Sequence, residues 1–140
     1  MEIQEIKKEF FCYRNGMLGE TLRRYGDPHK IIFGLDVPQI ASIARTIGTS
    51  MPLAEELWAD ADVRESRLLA SYLFDPAVVT EERAISLALD VRTQEEADML
   101  AFRLLKRLPH AASLLTKLEE AFQDSDAARM TAKALRAHID

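Results

Sequence analysis

Metal binding, nucleophilic catalysis and phosphate cradling each need particular side chains at particular spacings. The three histidines, His29, His110 and His138, stand far apart and near expected helix ends, a pattern that fits turns and caps better than a ligand set. Cys12 is the only cysteine, so it forms no disulfide within the chain and no zinc site; between Phe11 and Tyr13 it reads as a passive thiol. The glycines, Gly16, Gly19, Gly26, Gly34 and Gly48, open neither a P-loop nor a dinucleotide-binding turn. HExxH, CxxC and GxSxG are missing, and neither a metal nor a cofactor is expected. What remains is charge chemistry. Arg23, Arg24 and Lys30, with His29, make the best basic patch for phosphates, diluted by Glu20 and Asp27. Arg64 and Arg67 are further nucleic-acid candidates, although ion pairs with Asp62 or Glu65 are the simpler use for them. Arg103, Lys106 and Arg107 fall together on a helical wheel and read as a solvated face.

Length and composition bound what these groups can do. At 140 residues, 48% hydrophobic and 29% charged, the chain reads as one globular domain over residues 1–140. The net charge of −5 comes from the middle: residues 31–60 and 61–90 each carry −3, residues 1–30 carry +1 and residues 91–140 carry zero. Proteins that live on phosphate backbones are usually basic, so this balance argues against a strong autonomous nucleic-acid binder while leaving room for a local basic surface. The longest apolar stretch, Leu68 to Phe74, is far too short for a membrane span, and Met1 to Glu5 has no leader character. A cytoplasmic protein with no membrane partner is the expectation.

The elements that must position these residues are helical. Ile3, Ile6, Phe10 and Tyr13 recur at helical spacing and predict a first helix stopping near Asn15-Gly16. A second runs from Met17 to Tyr25, and Lys30 to Phe33 is an extended connection without a pairing partner. Asp36 with Pro38, and Ser50 with Pro52, open the next two helices. Asp62 starts a helix to Phe74 that is apolar around most of its circumference, as packing on both sides demands. Thr80 opens another, and Thr93-Gln94-Glu95-Glu96 fits a capping box. The helix after it places Ala97, Leu100, Ala101, Leu104, Leu105 and Leu108 on one stripe, with Pro109 as its stop. Two amphipathic helices follow. Eight or nine short helices with short connections predict an all-α fold of HEAT-like antiparallel helix pairs.

Two segments carry a resemblance. Gly34-Leu35-Asp36-Val37-Pro38-Gln39-Ile40 and Leu57-Trp58 followed by Arg64-Glu65-Ser66-Arg67-Leu68-Leu69-Ala70 resemble, in order and spacing, the bacterial DNA alkylation repair family of AlkD-type glycosylases. That family shows a G-V-x-x-P helix start, then an L-W element and an R-E-x-R-L-L-A helix. The resemblance covers roughly residues 30 to 105 and implies a superhelix of HEAT-like pairs. It also implies release of alkylated purines from DNA, without a metal and without flipping the base into a pocket. Lys and Arg would hold the backbone, and an Asp would stabilise the oxocarbenium-like sugar left by the departing base.

The family's W-D-x-x-D stretch matches Gln94-Glu95-Glu96-Ala97-Asp98, which makes Asp98 the candidate catalytic carboxylate and puts Gln94 where the family has tryptophan. Gln94 and Asp98 are four residues apart, on one helix face, with Asp98 at the margin of the apolar stripe beside Leu105. A first-turns acid favoured by the helix dipole is the competing use of Asp98. Trp58, the only tryptophan, reads as core and offers no second aromatic. Members of the family usually run well past 200 residues, so the resemblance implies that much of the C-terminal concave surface is absent. The expectation is therefore a reduced family member that recognises DNA, with alkylpurine release weak or lost. The alternative is a non-catalytic helical module that binds a protein partner.

Overall fold

The computed structural model describes residues 1–139. Among them are nine α-helices: α1 (Ile3–Cys12), α2 (Gly16–Arg24), α3 (Val37–Ile47), α4 (Met51–Ala59), α5 (Arg64–Leu73), α6 (Glu81–Leu89), α7 (Gln94–Arg103), α8 (Ala111–Ala121) and α9 (Asp126–Arg136). A 3-10 turn, Leu105–Arg107, follows α7. The fold is all-α. No helix among the described residues is long and apolar enough to cross a membrane.

Capping chemistry sets most of the starts. Asn15, Asp36, Ser50, Thr80, Thr93 and Ser125 each accept a first-turn backbone N–H through the side chain. Asp36 does so reciprocally, since Gln39 returns its side-chain oxygen to the Asp36 N–H. Three boundaries differ from the sequence expectation. Asn15 is the cap of α2 rather than the stop of α1, which ends at Cys12. The expected box at Thr93 is half formed: Thr93 accepts from the Glu96 N–H, but the Glu96 carboxylate takes the N–H of Arg92, one residue further out.

The third difference lies at α5. Its N-cap is Val63, with no capping side chain, rather than Asp62. The Ile31 carbonyl accepts the Arg64 N–H at 3.1 Å, and the Ile31 N–H donates to the Asp62 carbonyl at 3.0 Å. The segment read as an unpartnered connection thus has one bridge, Ile31 to Val63, and caps a helix with it.

The chain packs as two compact units, Met1–Phe74 and the residues from Asp75 onward, parted at the helix-breaking Asp75-Pro76. In the first unit α5 is the central element, packed on α3 and α4. Arg64 through Ser71 and Leu73 are all buried. The Ser50 N–H donates to the Leu73 carbonyl, which sets the start of α4 against the end of α5, so the two run antiparallel. Trp58 of α4 is 3% exposed, and the Arg67 guanidinium of α5 sits 4.0 Å from its ring centre.

In the second unit α9 packs on α6, α7 and α8 around Leu87, Leu100, Leu114, Leu118 and Leu135. Gln94 at the start of α7 meets Met130, and Phe102 near its end meets His138. Both contacts are offset by the same number of residues, so α7 and α9 run in the same direction. The apolar stripe expected to carry α7 as far as Leu108 is cut short. Leu104 leaves the helical region (φ −122°, ψ −63°), and the 3-10 turn redirects Leu105 into the core while the chain approaches Pro109.

Candidate functional site

The two segments that carry the family resemblance meet in space. The Glu65 carboxylate, fully buried, accepts the backbone N–H groups of Phe33, Gly34 and Leu35 at 3.0, 3.0 and 3.3 Å. Arg64 donates through Nη1 to both Glu65 (2.7 Å) and the Leu35 carbonyl (2.8 Å). Gly34 is required there: its φ is +88°, and a Cβ would stand 2.1 Å from the Asn15 carbonyl oxygen. The motif pair is therefore a clasp. It fixes the turn that leads into α3 against the start of α5, which makes α3 and α5 side-by-side helices of one direction.

Each basic candidate of the first unit has a definite place. Arg64 and Arg67 are both 2% exposed, so neither presents its guanidinium to solvent. Arg23 is exposed, but its guanidinium donates to the carbonyls of His29 and Lys30 and ties α2 to the following loop. His29 is buried with Nδ1 2.5 Å from Asp27. Arg24 and Lys30 are exposed, and Lys30 lies 3.8 Å from Asp62. The structure brings Arg23 and Lys30 together at the Lys30 carbonyl.

The second unit holds the other two candidates. Gln94 and Asp98 are both exposed on α7, and Gln94 Nε2 donates to Asp98 Oδ1 at 2.8 Å and to the Met130 carbonyl at 3.3 Å. Their expected common face is present. The expected neighbour Leu105 is not on their helix, because α7 ends at Arg103. The dipole account of Asp98 weakens as well. α7 starts at Gln94, so its first-turn acids are Glu95 and Glu96, and Asp98 lies beyond the reach of that effect. Chemically, Asp98 is an exposed carboxylate steered by a neutral amide on one oxygen, with acceptor capacity to spare.

Sequence reasoning missed the next residue on that face. Phe102 stands four residues after Asp98 and is 40% exposed. Lys106 Nζ lies 3.7 Å from its ring centre, the Arg103 guanidinium 4.9 Å, and the His138 ring 5.5 Å. The Gln94, Asp98, Phe102 spacing was the available signal. Reading α7 through to Leu108 hid it, by assigning the neighbouring cations to a plain solvated face.

Compared with known families, residues 6–135 match the family described as DNA alkylation repair enzyme. The chain belongs to that family. Comparisons with curated proteins and with solved structures give no match. For this DNA alkylation repair family member, the matched span takes in the clasp, Gln94, Asp98 and Phe102, while His138 lies just beyond it.

Proposed function

We propose that this protein recognises DNA carrying alkylated purines through the exposed α7 face and releases the damaged base little faster than it leaves spontaneously. Family membership supports the DNA, and one observation carries the rest: Asp98 is exposed and hydrogen-bonded to Gln94, the residue that stands where the resemblance would have tryptophan. Stabilising an oxocarbenium-like sugar asks for a carboxylate held in place with its charge undiluted and water kept off. The Gln94 amide supplies the holding, but it spends part of the charge on a hydrogen bond and offers no aromatic wall. Side-by-side helices of one direction within each unit (α3 with α5, α7 with α9) support a HEAT-like arrangement in which equivalent helices stack along one face.

The test is release of methylated purines from an alkylated duplex, together with binding at low and moderate salt. Affinity should fall steeply with salt, and release should match the protein-free rate. Robust release that disappears in Asp98→Asn overturns the catalytic half of the proposal and makes Asp98 the catalytic residue. A second reading, a module for a protein partner, is favoured by the exposed Phe11, Met17 and Tyr25 around α1 and α2, at 55, 81 and 86%. It predicts no DNA binding at any salt concentration.

A further inference from the structure

We infer that Phe102, with Lys106 and Arg103, forms a stacking platform for an unstacked nucleotide next to the one presented to Asp98. The inference deepens the DNA reading above and rests on it. Three observations carry it. First, Phe102 is an aromatic residue 40% exposed, with Lys106 Nζ over its ring at 3.7 Å. The Arg103 guanidinium and the His138 ring also flank this phenyl, so an aromatic surface for a base stands among groups able to meet a phosphate.

Second, the cations are concentrated locally in an acidic chain. Residues 99–118 contain no Asp or Glu and include Arg103, Lys106 and Arg107, although the whole chain carries −5; the fourth cation of that span, Lys117, pairs with Glu81. The Lys106 ammonium ends a flexible stem, so a base that takes its place on the ring can displace it toward the phosphate beside that base. Third, Phe102 lies one helical turn from Asp98 on the same exposed face, about 6 Å along the axis. That is the scale of one extended nucleotide step or about two stacked ones.

The chemistry selects the ligand. Inside an intact duplex both faces of a base are covered by neighbours, so a phenyl ring can stack there only after a base step is unstacked, at a cost of a few kcal/mol. A bulged, nicked or loosened nucleotide exposes a base face, and stacking on it tolerates any sequence because every base has one. The platform therefore reads interruption of the stack rather than base identity.

The experiment uses the full chain and fluorescence anisotropy at low salt, with an intact duplex and the same duplex carrying one bulged nucleotide. The wild type should bind the bulged duplex about ten-fold more tightly, on the scale expected for one stacked base. Phe102→Ala should erase that preference, and Phe102→Trp should retain or raise it. Lys106→Gln should weaken both duplexes and lower the salt slope by about one. Equal binding of the two duplexes by the wild type, or a preference that survives in Phe102→Ala, overturns the platform and leaves the DNA reading standing. No binding to either duplex at low salt removes both.

Discussion

Helices α5 and α7 each carry a carboxylate close to their start, and the two are placed in opposite ways. Glu65 is fully buried and takes three backbone N–H groups and an arginine. Asp98 is exposed and takes one side-chain amide. Burying a charge is tolerable only when its lone pairs are answered, and at Glu65 they are. That carboxylate is spent on holding two helix starts together and has little capacity for a ligand. Asp98 is the reverse: accessible, held by one amide, and one helical turn from the exposed Phe102. The comparison teaches that the most recognisable motif in the chain is framework, while the carboxylate of α7 is left exposed to solvent.

Removing Glu65 should give the largest effect. Glu65→Ala leaves Arg64 buried without its carboxylate and strips the acceptor from three loop N–H groups. The expected loss is about 5 kcal/mol, at the top of the range for breaking a buried ion pair. Urea unfolding followed by circular dichroism measures it. A loss under about 1 kcal/mol would mean the clasp is not what joins α3 to α5.

Trp58→Ala comes next, at roughly 3–5 kcal/mol from lost burial and the cavity left behind. The cation–π contact with Arg67 adds to it, since the guanidinium loses the ring beneath it. A near-neutral result, read from the same unfolding curves, would contradict the burial of the indole.

The helical class and most caps could be read from residue order, because periodicity and capping are local. Asp36, Ser50 and Thr80 announce helices through chemistry completed within four residues. The start of α5 could not be read this way. Its cap is the Ile31 backbone, thirty-odd residues away in sequence, and no local pattern encodes that pairing. The end of α7 escaped for a related reason. The stripe from Ala97 to Leu108 keeps its helical period, yet the core accepts Leu105 from a 3-10 turn just as well. For the candidate site, the shared face of Gln94 and Asp98 was legible. The role of Phe102 was not, since Arg103 and Lys106 meet its ring across the end of α7 and the 3-10 turn that a continuous helix concealed, and the His138 ring is added by a segment thirty-six residues away.

A smaller effect is expected in acid. The Glu81 carboxyl is held below the ordinary carboxylate range, chiefly by its hydrogen bond with Lys117 and then with Ser113. A depressed folded-state pKa contributes stability that is present above the unfolded pKa and is lost as pH falls through the folded one. Wild type and Lys117→Ala should therefore differ slightly at neutral pH, with the gap closing as pH drops below the usual carboxylate value. Thermal melts across that window measure it. A gap that widens in acid would mean that the pair does not set the Glu81 pKa.

The smallest effect sharpens the comparison most. Asp98→Asn removes the charge that makes Asp98 chemically interesting, yet the amide can still accept from Gln94. An exposed pair four residues apart on a helix contributes only about 0.2–0.5 kcal/mol, so the stability change should stay within about 0.5 kcal/mol. The conservative Glu65→Gln, by contrast, removes a buried charge facing Arg64 and should still cost several times as much. The two substitutions alter the same atoms in the same way, one carboxylate oxygen exchanged for an amide nitrogen. If they cost the same, burial does not divide framework from substrate-facing carboxylates in this fold. If Asp98→Asn is silent in stability while changing affinity for alkylated DNA, Asp98 is kept for contact with a ligand rather than for holding α7.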